Sequence, residues 1–254
     1  MKTDTAQKIL EFIKQKGQVT PKEIINYIGF GAPAVFRQLK KLQKINLIQK
    51  TGSSPRVFYH HPMANKEILT QQIFQWVTKS DSEIPSNKGL YCPTRDIFQS
   101  RNERLLKELL YLKIDESLSY LLSAVVGEIG NNSFDHNFGN WPDLPGVYFE
   151  INLENRLLLL ADRGQGIMTT LQKALPNISN DEEALKIAFE KIISGRTPEK
   201  RGNGLKFVKT IIEQNGLTLN FYSGSAFCTI TKSTGIKIEK SQRRIGGAIA
   251  IIEF

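Results

Sequence analysis

Residues 121–139, LLSAVVGEIGNNSFDHNFG, decide how the C-terminal half of the chain is read. Leu121, Leu122, Val125, Val126 and Ile129 recur at helical spacing and form an apolar face. Glu128, Asn132 and the Asp135/His136 pair follow at steps of four and then three or four, so one stripe of the same helix presents its polar groups as a set. Downstream, residues 156–167, RLLLLADRGQGI, read as an apolar strand ending in Asp162-Arg163-Gly164-Gln165-Gly166. Residues 200–216, KRGNGLKFVKTIIEQNG, open an amphipathic helix with a Gly202-x-Gly204 turn. Three strand-like segments follow: LTLNFYSG (217–224), AFCTITK (226–232) and GGAIAIIEF (246–254).

A helix with Glu128 and Asn132, a strand end with Asp162-x-Gly164-x-Gly166 and a helix start with Gly202-x-Gly204-Leu205, in this order, resemble the boxes of the GHKL ATP-binding family. That family includes DNA gyrase B subunits, heat-shock protein 90, sensor histidine kinases, MutL and anti-sigma-factor serine kinases. The resemblance covers about residues 115–254 and implies a two-layer α/β sandwich of the Bergerat type, with ATP and Mg²⁺ as ligands. Position by position, Asp162 would accept a hydrogen bond from the adenine amine, where guanine would set a carbonyl against it. Gly164, Gly166, Gly202 and Gly204 would let backbone approach the nucleotide, and the helix opening at Leu205 offers free N–H groups to phosphate. Asn132 would give an oxygen to Mg²⁺, which keeps most of its waters. The resemblance makes Glu128 the carboxylate that polarises an attacking water. Residues 168–201 would form a lid, in which Arg196, Lys200 and Arg201 suit phosphate contacts as well as they suit a solvated loop. Neither a Gly-x4-Gly-Lys-Ser/Thr loop nor a Gly-x-Gly-x-x-Gly turn is present, which excludes the other common phosphate-binding schemes.

The first sixty residues are of another kind. The 254-residue chain carries a formal net charge of +9, and residues 1–60 hold +8 of it, with nine Lys and two Arg against Asp4, Glu11 and Glu23. Thr5 to Lys16 shows helical periodicity through Ile9, Leu10, Phe12 and Ile13. Thr20-Pro21-Lys22-Glu23 is a capping box with proline in the first turn, which predicts a short helix ending at Gly29. A third helix, Ala32 to Ile45, turns Val35, Phe36, Leu39 and Leu42 inward, and two short strands flank Gly-Ser-Ser-Pro after it. Three helices and a hairpin resemble a winged helix-turn-helix, whose third helix enters the major groove of duplex DNA. Arg37, Lys40, Lys41, Lys44 and Arg56 would then meet phosphates, Arg37 and Gln38 are best suited to base edges, and Gly31, Ala32 and Ala34 allow close approach. A merely solvated cationic face, or a dimerisation module, fits the same residues.

The expected organisation is therefore α+β: a winged helix-turn-helix over 1–61, a helical linker over 62–114 and a GHKL-type domain over 115–254. Helices are expected over Asn65–Lys79 and Asp96–Leu112, with the Ser-, Pro- and Asn-rich stretch between them as a loop. The second of these helices would pack on the following domain or on a second copy of the chain. His60 and His61 lack the further ligands a metal needs. Two cysteines, no long apolar run and no signal-peptide core point to a reducing cytoplasm with no membrane. The functional expectation is a transcriptional regulator in which Mg-ATP modulates the binding of double-stranded DNA, working as a homodimer or with a protein partner. The alternative is an ATP hydrolase or serine kinase of the anti-sigma type, in which the N-terminal module recruits a partner. His136 stands at a position common among those kinases, although a locally bonded surface histidine accounts for it too. The lack of any His between residues 62 and 127 argues against a histidine kinase.

Overall fold

The computed structural model describes residues 5–44, 47–78, 88–190 and 204–254, and the chain divides into two compact units, Met1–Gln71 and Gln72–Phe254. In the first unit α1 (Thr5–Lys16), β1 (Gln18–Val19), α2 (Pro21–Ile28), α3 (Ala32–Lys44), β2 (Gln49–Thr51) and β3 (Phe58–His60) follow in order. The three strands form an antiparallel sheet in the order β1-β3-β2. Local chemistry sets the second helix: Thr20 Oγ1 accepts from Glu23 N, Glu23 Oε2 accepts from Thr20 N at 2.7 Å, and Gly29 closes the helix at φ 71°. Ile9, Ile13, Ile24, Val35, Leu39 and Ile48 meet in one core. Phe36, expected to point inward, does not join it and remains 41% exposed. His60 is buried beside Gln49 Oε1 at 3.2 Å.

The helix α4 (Pro62–Thr78) contains the division between the units. The second unit continues with β4 (Tyr91–Cys92), α5 (Arg95–Tyr111), α6 (Glu116–Asn137), β5 (Val147–Asn152), β6 (Leu157–Asp162), α7 (Gly166–Gln172), α8 (Asp181–Glu190), α9 (Gly204–Gln214), β7 (Thr218–Thr231) and β8 (Gly235–Glu253). Its sheet is antiparallel throughout, in the order β4-β5-β6-β8-β7. Side chains alternate across a strand, so Leu158, Leu160, Ala250 and Ile252 face a core shared with Leu105, Leu122, Val126, Leu185 and Val208 of the helices. The other face is also in contact: Trp76 meets Tyr148 with ring centroids 5.5 Å apart, and Phe74 meets Tyr222 edge-on at 4.9 Å.

Several expectations change here. The 62–114 segment is not a tether, because β4 pairs with β5 and Phe98, Leu105 and Leu109 of α5 are buried in the second unit's core. The aromatic end of α4 lies on the far face of the sheet, so a two-layer description is incomplete. Tyr91 and Cys92, read as loop, form a strand too short to carry any periodicity. The three C-terminal strand segments are two: β7 runs straight through Ser223-Gly224, where a bulge absorbs the glycine, and β8 begins at Gly235. The supposed lid is anchored over its first part, since Phe189 of α8 packs edge-on against Phe221 and Leu185 lies in the core. Among the described residues, no helix is long and apolar enough to cross a membrane.

Candidate functional site

A cleft opens between α6 and the sheet, with about 480 Å³ of atom-free space continuous with solvent. One edge of α6 supplies Ile129, Asn132, Ser133, His136 and Asn137, which succeed one another at three- and one-residue steps and so share a face. Leu160 and Asp162 end β6, Ala248 and Ala250 come from β8, and Phe221 from β7, so the floor is apolar except for the one carboxylate. Gly166, Ile167 and Thr170 of α7 form the opposite wall, and Leu205 of α9 closes one end.

Asp162 is the centre of this arrangement and only 4% exposed. Its Oδ2 accepts from Ser133 Oγ at 2.7 Å, and its Oδ1 from Gly164 N at 2.8 Å and from Asn137 Nδ2 at 3.4 Å. The Ala248 N–H donates to the same carboxyl. Burial pushes the Asp162 carboxyl above the usual range, and the hydrogen bonds from Ser133, Gly164, Ala248 and Asn137 oppose that shift. The Asn137 contact is the longest of these, and the same amide nitrogen donates its other N–H to Ser133 O at 2.8 Å.

Asn137 also fastens the turn that follows. Its Oδ1 accepts from Gln165 N at 2.8 Å, and a Cβ on Gly164 would fall 2.1 Å from its amide. Gly166 sits at φ +79°, where an L side chain is strained, and Ser223 Oγ receives the next N–H, from Ile167, at 2.9 Å. Ser223 Oγ in turn donates to Gly247 O at 2.9 Å, which ties the turn to both long strands. Ser133, Asn137 and Ser223 escaped the sequence reading. The first two carry a signal in retrospect, lying four and eight residues after Ile129.

Of the residues expected at the site, Asn132, Asp162, Gly166 and Leu205 line the cleft, and Gly164 lies against it. Gly204 opens α9 beside α6: a Cβ there would come within 2.3 Å of Glu128 Oε2 and 3.6 Å of Asn132 Nδ2. Glu128 is thus close to the start of α9, yet it is exposed and lines a neighbouring groove with Asn102, Tyr120, Asn131 and Phe207 rather than the cleft. His136 lines the cleft, and its imidazole is pushed down chiefly by burial. Arg196, Lys200, Arg201 and Gly202 lie outside the described residues. Among the described residues, no group of three His, Cys, Asp or Glu side chains could hold a metal unaided.

In the first unit, Arg37, Lys40, Lys41, Lys44 and Arg56 are all exposed. At ~100° per residue, Pro33, Phe36, Arg37 and Lys44 fall within about 60° of Lys40 around α3. Gln38 lies about 160° away on the same count, and its Oε1 is enclosed without a hydrogen-bond partner. Gln38 is therefore turned from the face on which base contact was expected, and Phe36 occupies that face instead.

No family model matches the chain, and no curated protein matches it in sequence. Among solved structures, one described as an ICLR transcriptional regulator, from Silicibacter sp. TM1040, aligns with 98% of this chain and 84% of its own at 12% identity and a TM-score of 0.21. A likeness at that score has no bearing on fold or function.

Proposed function

We propose that the chain is an ATP-responsive, DNA-binding transcription regulator: a winged helix-turn-helix in the first unit and a GHKL-type nucleotide site in the second. The observation that carries the nucleotide reading is the convergence, on one apolar cleft, of a buried and hydrogen-bonded Asp162, the glycine turn after it and the first residues of α9. In this reading a flat base enters the cleft that Ile129 and Ile167 help to line, with its exocyclic amine donating to Asp162. Such a base is selected by a preformed acceptor, since a carbonyl there would leave two acceptors facing each other. Ser133 and Asn137 hold the carboxylate in place before any ligand arrives, which removes part of the ordering cost of binding.

The phosphates would extend toward Gly204 and the N–H groups at the start of α9. Asn132 is suited to contribute one oxygen to Mg²⁺, an ion that usually takes few protein ligands and relies on phosphate and water for the rest. When bound, Mg-ATP supplies a polyanion and a cleavable phosphoanhydride. The deciding measurement is a thermal shift. Ligand at about 100 times its dissociation constant stabilises by about 2.7 kcal/mol; the wild type should gain this with Mg-ATP and not with Mg-GTP, and Asp162→Ala should gain nothing. An equal shift in the variant removes the site.

For the first unit, the strand order β1-β3-β2 behind three helices and the exposed cations of α3 and β2–β3 support duplex binding. Affinity should fall steeply with salt and collapse when Arg37, Lys40, Lys41 and Arg56 are neutralised together. Regulation requires that Mg-ATP bind two arrangements of the protein unequally, so duplex titrations with and without Mg-ATP should differ, and superimposable curves rule the coupling out. The carboxylate of Glu128 beside Gly204 and Asn132 favours a second reading, an ATP hydrolase or kinase. Glu128→Ala separates the two: an enzyme loses turnover while keeping the thermal shift, and a switch keeps its nucleotide-dependent DNA response.

A further inference from the structure

The outward face of α3 is not purely cationic. Phe36 stands 41% exposed about 40° from Lys40 at ~100° per residue, is absent from the first unit's core, and is flanked by Arg37 in sequence and by Lys40 one turn on. Leaving so large a ring half in water forgoes the stabilisation its burial would bring, and a helix whose neighbouring outward positions are Arg and Lys gains nothing locally from it. Two other aromatic rings of this unit are exposed, but Tyr27 is stacked on Phe12 at 4.0 Å, and Phe30 lies in the turn before α3. Only Phe36, among the described aromatic side chains, shares the helix face with the cations.

We infer that Phe36 is a specificity-determining residue that packs against the 5-methyl group of a thymine in the major groove, while Arg37, Lys40 and Lys44 hold the flanking backbone. The inference rests on the DNA-binding reading above and gives it a base preference. Of the four bases, thymine alone displays a methyl group on the major-groove edge, and an apolar side chain is the complement to it. The cations fix the register of the helix without reading sequence, so an apolar ring among them is placed where discrimination is needed. Pro33 and Ala34 precede it with little bulk, leaving the N-terminal turn of α3 free to approach the bases. Gln38, with its amide oxygen enclosed, is not available to read a base from this face.

The test uses the full chain. A preferred duplex is selected from a random-sequence pool, each thymine in it is replaced singly by deoxyuridine, which removes only the methyl, and affinity is followed by fluorescence anisotropy. The wild type should lose about fourfold at one thymine per site, the equivalent of about 0.8 kcal/mol for one methyl-sized group. Phe36→Ala should bind thymine and deoxyuridine duplexes equally, Phe36→Leu should retain part of the discrimination, and both should keep the wild-type dependence on salt. Phe30→Ala should discriminate as the wild type does. Indifference of the wild type to every substitution overturns the inference and leaves salt-dependent DNA binding standing, as does an undiminished methyl effect in Phe36→Ala. A Phe36→Ala variant unchanged on DNA but altered in self-association assigns the ring to protein contact, and also overturns it. No salt-dependent duplex binding by the wild type removes the DNA-binding reading itself.

Discussion

At Asp162, burial and hydrogen bonding pull in opposite directions, and burial wins. A carboxyl raised in the folded state gives stability that is fully present below its unfolded pKa and is lost as pH rises through the higher folded value. Ligand binding has the reverse sign, because an incoming N–H needs the ionised acceptor. Nucleotide affinity should therefore decline, as pH falls, at a midpoint above the ordinary Asp value of 3.8, while the ligand-free chain gains stability in the same window. Titrating affinity and urea stability across that range checks both signs, and Asp162→Asn should flatten them together. Gly166 allows a separate test. At φ +79°, with Ser223 Oγ 3.1 Å from where a Cβ would stand, Gly166→Ala should cost about 1–2 kcal/mol from the left-handed backbone alone. Urea denaturation measures this, and an unchanged midpoint would mean that the turn relaxes freely.

Elements differ in how openly the sequence declares them. The start and end of α2 are legible because every partner lies within a few residues: Thr20 and Glu23 cap one another, and Gly29 ends the helix. Thr20→Ala should cost the first unit about 0.5–2 kcal/mol, seen as an earlier unfolding transition. The helices α1 and α5 likewise follow from periodicity, with ends within a residue of expectation, whereas α6 begins five residues before the apolar face that announced it. By contrast, β1 and β4 are two residues long and exist only because a distant strand pairs with them, His60 and Tyr59 in one case and Tyr148 and Val147 in the other. Phe36 was misplaced because it lies three residues before Leu39 and so continues the apolar stripe in sequence, although the core closes without it. In the cleft, Asp162 and the glycines stood out as a motif. Ser133 and Asn137 did not, since a polar residue on a helix declares its role only when a partner 25 or 29 residues away arrives beside it.

For the molecule as a whole, the charge count and the contact pattern divide the chain alike, though not at the same residue. The +8 of residues 1–60 belongs to the first unit, and the cleft draws on a few neutral side chains and one carboxylate in the second. Substitutions should therefore separate cleanly. Joint neutralisation of Arg37, Lys40, Lys41 and Arg56 should abolish duplex binding and leave the Mg-ATP thermal shift intact. Asp162→Ala should abolish the shift and leave nucleotide-free duplex affinity intact. Loss of both properties in either variant would contradict the division of labour.

The strand order also bears on how the chain is made. β8 lies between β6 and β7 and supplies Ala248 and Ala250 to the cleft, yet it is translated last of the five strands. On the ribosome, the Leu157–Leu160 run keeps one bare edge from the moment Asp162 emerges until Gly235 and its successors follow. That run of four leucines in mid-synthesis invites pairing with a neighbouring nascent chain. Expression at lower temperature, or with holdase chaperones in excess, should raise the yield of native protein more than it does for a domain whose central strands appear early.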